Sequence, residues 1–132
     1  MTNHSVLAIV GPTASGKTAL SILLAEKLYG EIISADSRQI YRYLDIGTAK
    51  PTQEELKSTA HHFVSILNPD QYYNAGEYGT QARAKIEELL KQNKQPILVG
   101  GSGLYVRAVI DGFFDGPGKN TEIRGQIGRA HV

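Results

Sequence analysis

The sequence contains no cysteine, no tryptophan and a single methionine in 132 residues. Without cysteine there is neither a disulfide framework nor a thiolate metal site, so the fold must rest on its core. That chemistry suits a reducing compartment, and a cytoplasmic location is expected. Long apolar runs are also missing. The longest near the N-terminus extends only from Val6 to Val10, whereas a membrane span needs about 20 apolar residues and a secretory leader needs a longer apolar stretch behind basic residues. No membrane association is expected. Charge of one sign is scarce as well: 14 basic against 13 acidic residues leave a net charge of +1. No global basic field announces nucleic acid, so a phosphate-rich partner must be met by locally placed charge. What remains is 41% hydrophobic and 20% charged, the composition of a globular protein whose length fits one domain or part of one.

Fourteen glycines punctuate the apolar runs rather than forming a linker. Val6-Leu7-Ala8-Ile9-Val10 is β-prone and ends at Gly11-Pro12, which predicts a buried strand. From Lys17 to Tyr29, Leu20, Leu24 and Leu28 recur every fourth residue with Leu23 beside them, predicting an amphipathic helix stopped by Gly30. Residues 31–35 predict a second strand that delivers Asp36 at its end. Residues 37–51 show no period, and His62 to Ile66 predict a third strand.

Asn74 and Glu77 have the spacing of a capping box. They open a helix with Tyr78, Ala82, Ile86, Leu89 and Leu90 on one stripe. Pro96 to Val99 predict a strand broken by Gly100-Gly101, after which Ser102 can cap a helix to about Ile110. Thr121, Glu122, Ile123, Arg124 and Ile127 give one weak helical start, interrupted by Gly125 and Gly128. Strands alternating with helices at these spacings predict an α/β fold, a parallel sheet with helices on both faces.

Gly11-Pro12-Thr13-Ala14-Ser15-Gly16-Lys17-Thr18 satisfies G-x-x-x-x-G-K-[ST] at every required position. In such a loop the glycines let backbone N–H groups turn inward onto an oxyanion, and the following helix presents its positive end. Lys17 adds a point charge to the phosphate, and the Thr18 hydroxyl can ligate Mg²⁺. Diphosphate or nucleotide binding is therefore expected at Gly11, Pro12, Thr13, Ala14, Ser15, Gly16, Lys17 and Thr18, on a P-loop NTPase-like sheet. The loop alone does not specify the reaction, since kinases and GTPases share it. The strand that could carry a second metal-holding carboxylate ends in Gly100-Gly101-Ser102 and has no acid. Asp36 alone is an acid at a strand end, and ligands gather at the carboxyl ends of strands in doubly wound sheets.

Three blocks together carry a resemblance: Gly11 to Thr18, then Ser34-Ala35-Asp36-Ser37-Arg38-Gln39-Ile40-Tyr41, then Asp45-Ile46-Gly47-Thr48-Ala49-Lys50-Pro51. They resemble the tRNA dimethylallyltransferases, also called tRNA isopentenyltransferases. His61-His62, residues 73–78 and residues 98–105 match later blocks of that family in order, so the resemblance spans about residues 5 to 127. The resemblance implies transfer of a dimethylallyl group from dimethylallyl diphosphate to the exocyclic amine of the adenine 3′ of the tRNA anticodon. It implies that the loop holds a diphosphate leaving group, with Lys17, Thr18 and Mg²⁺ neutralising its charge. Asp36 would act as general base. Ser37, Arg38, Gln39, Ser102 and Arg124 would join Asp36 in contacting the tRNA.

Blander readings stand beside these: Asp36 as a cap or outer Mg²⁺ ligand, Ser102 as a helix cap, and Arg124 as a solvated arginine. His61-His62 has no third ligand at metal spacing and reads as structural. Tyr41, Tyr43, Tyr72, Tyr73, Tyr78 and Tyr105 read as core or rim, or as stacking surfaces for bases. Family members continue into a helical, tRNA-gripping region, so residues 1–132 are expected to form an incomplete P-loop core. Partners implied are the tRNA anticodon loop and dimethylallyl diphosphate, with no obligate protein partner. The alternative is a small-molecule or nucleotide kinase using the same loop for ATP.

Overall fold

The alternating strands and helices assemble into one parallel sheet. A computed structural model describes residues 5–11, 16–43, 50–101, 103–113 and 122–127, with backbone alone for 113 and 122–127. In chain order these are β1 (Ser5–Val10), α1 (Lys17–Leu28), β2 (Gly30–Ser34), α2 (Gln53–Ser58) and β3 (His61–His62). Then come α3 (Ala75–Lys91), β4 (Gln95–Gly100), α4 (Leu104–Phe113) and β5 (Glu122–Ile127). The sheet order is β3-β2-β4-β1-β5, and every pairing is parallel. Among the described residues no helix is long and apolar enough to cross a membrane.

Strand periodicity divides the core in two. Val6, Ala8, Ile33 and Leu98 pack with Tyr78, Ala82, Ile86, Leu89, Tyr105, Val106 and Val109 of α3 and α4. The alternate residues Ile9, Ile32 and Ile97 pack on the other face against Ala25 of α1. An apolar run buried on both faces is what a central parallel strand requires. The predicted stripe of α3 is buried throughout, and its Asn74–Glu77 capping box forms in both directions, at 2.8 and 3.4 Å.

Four expectations are corrected. The leucine stripe of α1 is displaced: Ser21 and Ala25 face the sheet, whereas Leu23 and Leu28 are 48% and 46% exposed. Small side chains at the contact let the helix lie close to the strands, which leaves the flanking leucines only partly covered. The buried Ser21 hydroxyl donates to the Thr18 carbonyl at 2.8 Å. The helix stop is Tyr29, in the left-handed conformation at φ 55°, and Gly30 is already the first residue of β2.

The third strand contains only His61 and His62, because Phe63 and Ser65 take φ of 69° and 54°. The chain then leaves β2 to pair with the 39–41 turn, Ser65 N to Gln39 O and Ile66 N to Ile40 O. The weak helical start near Thr121 is instead strand β5, in register with β1 from Ser5↔Glu122 to Val10↔Ile127. Unpaired groups along the β1 edge decide that conformation against a segment already weakened as a helix by Gly125. Helix α2 follows the stretch without a visible period, in a segment for which the sequence suggested no element; a Thr52–Glu55 capping box holds its start.

Candidate active site at the carboxyl edge of the sheet

Strand β1 runs out at Gly11, whose amide donates to the Gly100 carbonyl at 3.1 Å. The chain re-enters description at Gly16, in a left-handed conformation (φ 84°) that a side chain would strain. Pro12, Thr13, Ala14 and Ser15 lie outside the described residues. Lys17 opens α1, and its ammonium turns back to the Gly11 carbonyl. Burial lowers the Lys17 pKa, and the Asp36 carboxylate opposes that shift. The contact with the Gly11 carbonyl holds the ammonium, within the field of the Asp36 carboxylate.

Asp36 follows β2 by two residues. Its strand end is stitched to β4 by Ala35 N to Val99 O at 2.8 Å. Gly100 makes this possible, since a Cβ there would sit 2.7 Å from the Ala35 carbonyl oxygen. Asp36 Oδ1 accepts from the Arg38 and Gln39 amides at 2.7 and 3.1 Å. The carboxylate therefore caps its own turn with one oxygen. Ser34 Oγ donates to Gln39 Oε1 at 3.2 Å, and the buried Tyr78 hydroxyl donates to the Ser34 carbonyl at 2.7 Å. Burial pushes the Tyr78 pKa well above its usual value, so it remains a donor.

Two clefts open at this edge. The first, of about 340 Å³, is lined by Gly16, Lys17, Thr18, Ser34, Asp36 and Gln39, among others. The second, of about 720 Å³, is lined by Asp36, Ser37, Arg38, Tyr41, Tyr73 and Tyr105, among others. Asp36 belongs to both, so its carboxylate stands in their common wall. Tyr105 stacks on Tyr78 with centroids 4.3 Å apart and meets Tyr73 edge-on at 6.4 Å. Tyr78 is thus core, Tyr41, Tyr73 and Tyr105 line the second cleft, and Tyr43 and Tyr72 are exposed.

The structure brings Lys17, Thr18, Asp36, Ser37, Arg38 and Gln39 to one edge. The backbone of Arg124 lies opposite Leu7, three positions short of the end of β5, and its side chain lies outside the description. Ser102 lies outside the described residues. The adjacent histidines separate. His62 Nε2 meets Glu31 Oε1 at 2.7 Å, and Lys94 holds the other Glu31 oxygen at 2.8 Å, a structural cluster. Burial would raise the Glu31 pKa, but hydrogen bonds from Lys94 and His62 outweigh it and hold the carboxyl below its usual value. His61 instead lines the first cleft, with Pro51 and Glu55. Its Nδ1 lies 2.8 Å from the Thr59 carbonyl, and burial lowers its pKa. Nothing in the sequence distinguishes it from His62; only the pairing Ile32↔His61 places it. Among the described residues no cluster of three or more histidines, cysteines or acids could hold a metal by itself.

Comparison with known proteins places these features. The family model described as IPP transferase matches residues 39–131. The tRNA dimethylallyltransferase of Koribacter versatilis is 48% identical over 129 residues, 98% of this chain and 42% of that protein. The full-length tRNA isopentenylpyrophosphate transferase of Bacillus halodurans superposes with a TM-score of 0.79 at 46% identity, over 86% of this chain and 38% of that one. A eukaryotic dimethylallyltransferase acting on tRNA gives a TM-score of 0.75 at 34% identity, over 80% and 26%. The chain therefore spans about two-fifths of the curated relative, which is 42% covered. The match favours the transferase reading over the kinase alternative, and the chain belongs to the IPP transferase family.

Proposed function

We propose that this chain supplies the phosphate-binding core of an enzyme that moves a dimethylallyl group from dimethylallyl diphosphate to an adenine amine of tRNA. The observation that carries the reading is the Asp36 carboxylate shared by two clefts, one with a lysine anchor and one walled by tyrosines. The diphosphate would lie beside Lys17, against the start of α1. The adenine, unstacked from an already single-stranded anticodon loop, would enter the tyrosine-walled cleft. Its amine attacks the allylic carbon, the carbon–oxygen bond breaks, and the electron pair leaves with the diphosphate. Asp36 accepts the proton released by the amine. Arg38 and Ser37, beside it in the second cleft, would contact the nucleotide, and Gln39 would hold the turn.

The donor set fits magnesium, which keeps several waters and takes few protein ligands beside substrate phosphates. Thr18 would ligate it, with Asp36 reachable through water, and the ion would neutralise charge on the diphosphate oxygens. The reading carries with it a cytoplasmic setting, where tRNA is modified.

The test uses an enzyme of the relatives' full length carrying these residues, with equilibrium binding and single-turnover transfer measured on each variant. Lys17→Ala should weaken diphosphate binding and transfer together. Asp36→Asn should leave binding nearly unchanged and slow transfer about 10²–10⁴-fold. Loss of diphosphate affinity in Asp36→Asn with intact chemistry would remove the base assignment.

A further inference from the structure

The turn that carries Asp36 is held by a side chain lining neither cleft. Lys50 is half-buried, and its ammonium donates to the Tyr41 carbonyl at 2.6 Å and the Ser65 hydroxyl at 2.9 Å. Ser65 donates its amide to the Gln39 carbonyl at 2.8 Å, and the Gln39 amide donates to Asp36 Oδ1 at 3.1 Å. A continuous path therefore runs from the ammonium to the carboxylate through Ser65 and Gln39.

The joined segments are irregular. Tyr43, Phe63 and Ser65 have φ of 68°, 69° and 54°, conformations that non-glycine residues hold only where their surroundings impose them. Among the described residues the segments pair through one bridge, Tyr41↔Leu67, and through amide bonds from Ser65, Ile66 and Leu67 to the Gln39 and Ile40 carbonyls and from Arg42 to the Leu67 carbonyl. Arg42 adds a tie from the exposed side, Nε to the Ser65 carbonyl at 3.2 Å and Nη1 to Asn68 Oδ1 at 3.0 Å. Lys50 works from the half-buried side, where an ammonium bond is shielded from competing water. A lysine this near a phosphate-binding cleft has an obvious alternative use. Two of its contacts are a backbone carbonyl and a hydroxyl on the segments that flank the Asp36 turn.

We propose that Lys50 is a positioning residue, clamping the Asp36 turn onto the 63–67 segment and so fixing the carboxylate in the wall between the two clefts. The proposal rests on the reading of Asp36 as the base. It predicts a defect in chemistry rather than in diphosphate binding, because Lys17 and Thr18 stand on a different element, α1.

The experiment is a double-mutant cycle on the full-length enzyme, reading single-turnover transfer to tRNA and equilibrium binding of inorganic pyrophosphate with Mg²⁺. Lys50→Met should slow transfer about 10- to 100-fold, the range that misplacing a catalytic group by about 1 Å produces, with pyrophosphate affinity unchanged. Lys50→Arg, which keeps a cationic donor, should recover much of the rate. In an Asp36→Asn background Lys50→Met should cost almost nothing more, because the group it positions is already disabled. Ser65→Gly removes one acceptor while relieving the positive φ, so it keeps the fold. It should give a smaller loss, again absent in the Asp36→Asn background, and it decides the matter alone if Lys50→Met does not fold. Additive losses, a parallel fall in pyrophosphate affinity, or an unaltered transfer rate would overturn the clamp. Should Asp36→Asn itself transfer at full rate, both the base assignment and the clamp fall; a slow Asp36→Asn with additive Lys50→Met removes only the clamp.

Discussion

His61 and His62 are consecutive, yet they meet different chemistry because successive strand residues point to opposite faces. His62 joins Glu31 and Lys94, while His61 lines the cleft that holds Lys17. Burial disfavours the His61 cation, so its folded pKa lies below the ordinary 6.5. Above 6.5 the ring is neutral in both folded and unfolded chains and contributes no pH dependence. Below 6.5 the unfolded chain takes up a proton that the folded chain refuses, so stability falls as pH falls toward the depressed value. Glu31 acts lower, since its stabilising contribution is lost only below its ordinary 4.5. His61→Gln should therefore flatten the stability profile just below pH 6.5 and leave the more acidic limb in place. Chemical denaturation across that range checks it; parallel profiles for parent and variant would mean that His61 charges freely in the fold. Lys17 and Asp36 were legible because each belongs to a local pattern, a loop and a strand end. His61 was not, because its position depends on a partner strand far away in the sequence.

Glycine at the end of β4 shows how an element can serve a site without supplying a side chain to it. Gly100 lies between Gly11 and Ala35, and a Cβ there would stand 2.7 Å from the Ala35 carbonyl oxygen and 2.9 Å from the Ala35 Cβ. Neither neighbour is the tip of a flexible side chain. Gly100→Ala should destabilise by roughly 1–3 kcal/mol, the usual cost of forcing extra volume into a packed site. A denaturant midpoint equal to the parent's would show that β2 and β4 separate freely, contrary to the stitched strand ends. Helices α1 and α3 differ in legibility for a related reason. The α3 stripe is made of large residues and is buried as its spacing predicts, whereas α1 meets the sheet through Ser21 and Ala25. A leucine period locates an apolar side; it does not say which residue lies at the closest contact.

Five parallel strands with the shortest at one edge make stability uneven across the molecule. Strand β4 has neighbours on both sides, and its Ile97 and Leu98 are fully buried on opposite faces. Among the described residues strand β3 pairs only with β2, through two residues. Amide hydrogens of residues 97–99 should exchange slowest and those of His61 and His62 fastest among the described strands, which hydrogen-exchange measurements resolve directly. Comparable protection in β3 and β4 would mean that the edge is held by more than its pairing. Local sequence determined the alternation of strands and helices, the α3 capping box, the start of α1 at Lys17 behind Gly16 and the placement of Asp36 at a strand end. Each follows from residues within a few positions of one another, where propensity, period and turn chemistry act. Tertiary structure decided the insertion of β4 between β1 and β2, the conversion of 122–127 into a strand and the separation of His61 from His62. It also decided the meeting of two clefts at Asp36 and the distant clamp from Lys50. Those depend on which distant backbone groups find one another, and unpaired strand edges and buried polar groups fix that choice only once the chain has closed on itself.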